Sequence, residues 1–208
     1  MPINLVEATA RLKARSRRSG SASATPVFWL VTDQARLPDP APLLRRLPPG
    51  SGVLLRLRDP VGREQAARRL LPQIRGLRLV LSVSADPALA TRLGLGLHLP
   101  EAMARAGTGS AFRLARRRRR LKLTVATHGP AALARAARLG ADCALLSPVY
   151  PTESHPGAPP LGRLRFARWA RSARLPVCAL GGMTASRAAT LRFAHGFAAV
   201  SLAPQTRG

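Results

Sequence analysis

Two stretches in the second half of the chain carry residue types suited to holding a phosphate. Ala179-Leu-Gly-Gly-Met-Thr184 sets Gly181 beside Gly182, and Ala199-Val-Ser-Leu202 follows a short helix-length segment later. Glycine has no Cβ, so a turn built on it lets a phosphate oxygen approach backbone N–H groups closely. Val200 and Ser201 would add further N–H groups and one hydroxyl. The plainer alternative is a glycine pair that serves only a tight turn. Ser147-Pro-Val-Tyr-Pro-Thr-Glu-Ser-His-Pro-Gly-Ala-Pro-Pro-Leu-Gly162 is a proline-stiffened loop with hydroxyls at Thr152 and Ser154 and an imidazole at His155. Loops of this length on a rigid scaffold tend to be lids or ligand clamps. Arg56, Arg58, Asp86 and Glu101 are charged residues that follow apolar runs and join the candidate list. His98 and His128 suit either a ligand contact or a satisfied structural role.

Composition bounds what those residues serve. With 208 residues, 46% of them hydrophobic and 21% charged, the chain suits one domain with a substantial core and excludes wholesale disorder. Two cysteines are too few for a disulfide framework and fit a reducing compartment. Neither an apolar run long enough for a bilayer nor a signal-peptide core is present, so the expectation is a cytoplasmic protein without a membrane partner. The net charge of +25 comes almost wholly from arginine, since Lys13 and Lys122 are the only lysines. Arginine, alanine, glycine and proline rise together, as G+C-rich coding produces. Aromatic residues at 4% leave few stacking platforms for bases, which argues against a specific nucleic-acid partner.

These residues need a scaffold. Apolar, β-branched stretches predict eight strands, at Val27–Asp33, Gly52–Asp59, Leu77–Ser84, Leu95–Leu99, Leu121–His128, Cys143–Val149, Val177–Gly181 and Phe197–Leu202. Between them, helices are expected at Gly62–Leu71, Pro87–Leu93, Phe112–Arg119, Pro130–Leu139, Leu164–Ala173 and Ala185–Ala194. Asp86 and Thr184 read as helix caps, and Gly140 and Gly196 as helix terminators. Eight such alternations in about 180 residues predict a single-domain (β/α)8 barrel over residues 26–208, with a doubly wound sheet as the alternative. The barrel would lack its usual C-terminal helix. Its flank beside strand eight would then be open, covered by the N-terminal helix, or buried in a dimer, a possible homo-oligomer. Residues 1–25 read as a basic extension with a short amphipathic helix over Ile3–Arg18 and a Ser/Gly linker. The same composition also suits an organelle transit peptide.

In such a barrel, ligands gather at the C-terminal ends of the strands, where all the candidates above fall. Together they resemble the thiamine-phosphate synthase/TenI superfamily. Phe28-Trp-Leu-Val-Thr-Asp33, Leu55-Arg-Leu-Arg-Asp59, Gly96-Leu-His-Leu99, Val125-Ala-Thr-His128, the Ser-Pro-Val-Tyr-Pro-Thr loop and Leu180-Gly-Gly-Met183 carry the resemblance. It implies joining of hydroxymethylpyrimidine diphosphate to thiazole phosphate with loss of diphosphate, usually with Mg²⁺. It assigns Arg58 to the pyrimidine diphosphate, Thr152 and Ser154 to the family's Thr-x-Thr pair, and Gly181, Gly182, Val200 and Ser201 to the thiazole phosphate.

The departures are as specific. Arg56 stands for a glutamine, Pro60 and His155 for lysines, and Ala126 for a serine. The metal carboxylate expected directly after strand three is either lost or shifted by one to Asp86, and Glu101 stands in the region after strand four. Pro148 replaces the catalytic histidine of the tautomerase branch. The resemblance therefore implies a whole thiazole-phosphate half and an eroded metal and diphosphate half. Two rival readings remain: a non-catalytic thiamine- or thiazole-phosphate-binding paralogue, and an arginine-rich polyanion-binding protein.

Overall fold

The structure is a computed structural model that describes residues 4–18, 25–106, 110–153, 157 and 159–202. Eight parallel strands pair in chain order and close into a barrel. They are β1 (Phe28–Val31), β2 (Gly52–Leu55), β3 (Val80–Ser84), β4 (Gly96–Leu99), β5 (Leu123–Thr127), β6 (Cys143–Leu146), β7 (Val177–Ala179) and β8 (Gly196–Ala199). β8 closes the ring on β1 through the Phe28/Phe197 and Leu30/Ala199 pairs. The doubly wound alternative is thereby excluded. Around the barrel lie α1 (Leu5–Arg18), α2 (Pro60–Gly76), α3 (Pro87–Leu93), α4 (Ser110–Arg119), α5 (Pro130–Arg138), α6 (Gly162–Ser172) and α7 (Ala185–Thr190). A 3-10 helix, Ala41–Arg46, takes the place of a helix between β1 and β2. None of the described helices is long and apolar enough to cross a membrane.

The strands are buried on both faces, which is why their sequence is continuously apolar rather than alternating. Outward side chains such as Leu30, Val53, Val83, Leu97, Val125 and Phe197 join the helices in one large cluster. The opposite faces of the strands form a separate interior cluster of Trp29, Val31, Leu54, Cys143, Leu145, Cys178 and Ala198. Trp29 is wholly buried there, and a Cβ at Gly52 would strike its indole ring. The glycine is the space that the tryptophan fills. Cys143 and Cys178 are free thiols in that interior with their sulfurs 3.2 Å apart. Burial, with the Cys143 hydrogen bond, pushes the Cys178 thiol well above its ordinary range, as inert packing thiols behave.

One flank of the barrel, beside α7, is covered by α1. Ala8 and Leu12 are buried in the large cluster, α1 packs on α7, and Arg15 donates to the Leu191 carbonyl at 3.3 Å. On the other side, Lys13 reaches the Pro49 carbonyl ahead of β2.

Four sequence-based expectations are corrected. The helix expected to stop at Leu71 runs on to Gly76 through Pro72, because Ala67, Leu70 and Ile74 continue its buried stripe. Consequently β3 begins at Val80 and not at Leu77. The helix expected to reach Ala194 ends at Thr190, and Gly196 is no terminator. It opens β8, where a Cβ would collide with the Val27 backbone. Asp86, Thr184 and Gly140 do cap or end helices as expected.

Candidate active site

Strands β1, β2, β6, β7 and β8 end two or more residues short of the ends expected from the sequence. Residues just past the ends of β2, β6, β7 and β8 line a cavity of about 240 Å³ at the C-terminal mouth. Arg56, Thr152, Gly181, Gly182, Val200 and Ser201 all line it, together with Arg36 and Pro148. A larger groove of about 760 Å³ runs between α5 and α6 outside the barrel, but no candidate residue lies in it.

Gly181 and Gly182 adopt φ of +90° and +59°, backbone that side chains disfavour. A Cβ on Gly181 would lie 2.8 Å from Pro148 Cα, so the turn after β7 presses directly on the start of the long loop. Tyr150 N–H donates to the Gly181 carbonyl at 3.1 Å, and Val149 N–H to that of Leu180 at 2.9 Å. At the loop's far end Leu161 and Gly162 donate back to Pro148 and Val149. Arg187 donates to the Gly182 carbonyl and lies 4.7 Å over the Tyr150 ring. The glycine carbonyls are thus used structurally. The Gly181 and Gly182 N–H groups have no partner among the described residues and remain available to an anion.

Charge at the mouth is arranged unevenly. Arg36 hydrogen-bonds Asp33 at 3.0 Å and lies 3.8 Å from Glu153. That bond, helped by the Arg36 and Ala35 N–H groups, holds the Asp33 carboxyl at about 2 despite some burial. Arg56 differs. It is half-buried, its N–H donates to Thr32 Oγ1 at 2.7 Å, and among the described residues no carboxylate or carbonyl takes its guanidinium. Near it in the barrel interior His98 shares a 2.9 Å hydrogen bond with Thr124 Oγ1. Burial, and secondarily the Arg56 charge, push His98 down to about 3, so its imidazole is neutral.

The other candidates lie outside this cavity lining. Arg58 is exposed. His128 Nδ1 and Glu101 Oε2 form a 2.6 Å pair. Asp86 Oδ1 accepts the Leu89 N–H at 2.9 Å, and its Oδ2 lies 3.2 Å from Arg63 Nη2. Ser154 and His155 fall outside the described residues. Among those described, no three His, Cys, Asp or Glu side chains could jointly hold a metal ion. With both carboxylates already engaged, the donor set does not fit Mg²⁺.

Sequence reasoning missed Arg36 and Arg63. Arg36 carries a signal, standing three residues beyond Asp33 where a turn after β1 brings the two together. Arg63 carries another, as the one charged residue on the apolar stripe Arg63, Ala67, Leu70 and Ile74.

Similarity to known proteins converges on this architecture. The thiamine-phosphate synthase of Thioalkalivibrio sulfidiphilus (strain HL-EbGR7) is 34% identical over 153 residues, 68% of either chain. Among solved structures, a thiamine phosphate pyrophosphorylase from Pyrococcus furiosus superposes with a TM-score of 0.63 at 16% identity, covering 85% of this chain and 86% of that one. A deoxyribose phosphate aldolase from Aeropyrum pernix gives 0.58 at 15% identity over 96% and 95%, which speaks for the barrel alone. The family model for thiamine monophosphate synthase (TMP-TENI) matches residues 31–203. That span takes in β2 through β8 and every residue of the cavity, and the chain belongs to the thiamine monophosphate synthase family.

Proposed function

We propose that this protein joins hydroxymethylpyrimidine diphosphate to thiazole phosphate and releases diphosphate. Membership of the family supports a role in thiamine biosynthesis. The reaction breaks the bond between the pyrimidine methylene and the diphosphate oxygen, and the thiazole nitrogen forms a new bond to that carbon. A site for it must hold two anions and stabilise the one that leaves. The observation that carries the reading is the half-buried Arg56 guanidinium lining the same cavity as the Gly181 and Gly182 N–H groups, all without partners among the described residues. Arg56, with Arg58 at the exposed rim, would take the diphosphate. The Gly181-Gly182 turn, Val200 and Ser201 would take the thiazole phosphate, and Thr152 would close over both from the loop. Neutral His98 adds no competing charge.

The metal and diphosphate half is, in this reading, eroded: Asp86 and Glu101 serve Arg63 and His128. That same engagement favours a second reading, a thiamine- or thiazole-phosphate-binding relative without turnover. Both place the protein in the cytoplasm with small phosphorylated partners. Diphosphate release from the two precursors, followed by a coupled assay, separates them. Turnover lost in Arg56→Gln supports the transferase; tight thiamine phosphate binding without turnover supports the binder.

A further inference from the structure

We infer that the anion site of this protein is charged by guanidinium groups alone, with Arg63 holding the Asp86 carboxylate away from any metal. The inference deepens the proposed function and rests on its diphosphate half. Arg63 sits one turn into α2, whose start is fixed by Asp59 accepting the Val61 and Gly62 N–H groups. Its side chain is only 9% exposed. One guanidinium nitrogen donates to the Leu57 carbonyl at 3.0 Å and the Ser84 carbonyl at 3.2 Å, and the other meets Asp86 at 3.2 Å. A single cation therefore ties the ends of β2 and β3 together at the mouth.

Arginine does not lose its proton in proteins, so this charge is permanent. For Asp86 to ligate Mg²⁺ through Oδ2, a dication would sit beside a buried guanidinium on one carboxylate. Through Oδ1, it would displace the N–H cap of α3. Either route leaves a buried charge or a helix end without its partner. Glu101 Oε2 is taken by His128, and among the described residues no third acidic, His or Cys side chain joins these carboxylates. The positive charge facing the cavity is already supplied by Arg56, fixed through its backbone to Thr32 and unpaired among the described residues. A forked, planar donor of this kind binds phosphate oxygens without a bridging ion.

Calorimetry with inorganic diphosphate tests this on the full chain, in EDTA and again with millimolar Mg²⁺. Affinity in EDTA should match that in Mg²⁺ within about threefold. Asp86→Asn keeps a capping oxygen and should bind as well as the parent in both buffers. Arg56→Gln should lose roughly tenfold or more, while Arg117→Gln, on the outer surface of α4, should lose nothing. Binding that needs Mg²⁺, binding abolished in Asp86→Asn, equal binding by the Arg56 and Arg117 variants, or no binding in either buffer would each overturn the inference. EDTA-insensitive binding without turnover would count against the proposed reaction and leave this inference standing.

Discussion

His98 should make the fold acid-sensitive in a window set by one imidazole. In the barrel interior it is fully buried, bonded to Thr124 and close to Arg56, and its pKa lies at about 3. In the unfolded chain the same side chain titrates near its ordinary 6.5. Above pH 6.5 both states are neutral and the group contributes nothing pH-dependent. Below it the unfolded chain takes up a proton that the native barrel refuses, so stability falls with pH until about 3. The linkage relation gives a loss of about 0.8 kcal/mol at pH 6 and about 2 kcal/mol at pH 5. Urea unfolding at pH 7, 6 and 5 reads it, with His98→Gln as the control that keeps a hydrogen-bonding group beside Thr124. His195, lowered by burial, and Asp33 and Asp39, lowered by their arginine partners, also titrate on unfolding, but equally in both proteins. The difference between parent and variant therefore isolates His98. Identical losses between pH 7 and pH 5 would refute the assignment of a buried, neutral imidazole.

Other consequences concern packing and charge. Leu12→Ala removes a side chain that is 1% exposed under α1 and should cost about 2–5 kcal/mol in urea unfolding, whereas a loosely attached extension would show almost no change. Gly52→Ala drives a methyl group into the Trp29 indole and should destabilise the barrel by roughly 1–3 kcal/mol, with a shifted tryptophan emission. Thiamine phosphate binding should weaken only gradually with salt and fall in Arg56→Gln. A steep loss with salt that ignores Arg56 would identify a polyanion-binding surface instead.

The barrel was legible because doubly buried strands leave an unmistakable apolar run, and because Asp86, Thr184 and Gly140 mark helix ends chemically. The same runs misled at their C-terminal ends. Leu180 and Val200, just past the strand ends, line the cavity, so the apolar run continues beyond the strand itself. Gly196 misled for a related reason: a glycine that makes room for the Val27 backbone looks, in sequence, like one that ends a helix. The phosphate turn at Gly181-Gly182 was legible from residue type. What the acidic candidates do was not, since Asp86 and Glu101 meet Arg63 and His128 only through side-chain contacts between elements far apart in sequence. Arg36 and Arg63 escaped notice because thirty-four basic residues hide the few that are placed.

The most direct test is crystallographic: the position of the phosphate in crystals of the protein soaked with thiazole phosphate. The account predicts density within hydrogen-bonding reach of the Gly181 and Gly182 N–H groups and Ser201, with the Arg56 side chain on the same wall of the cavity. A ligand held instead in the groove between α5 and α6, with the mouth of the barrel vacant, would contradict it.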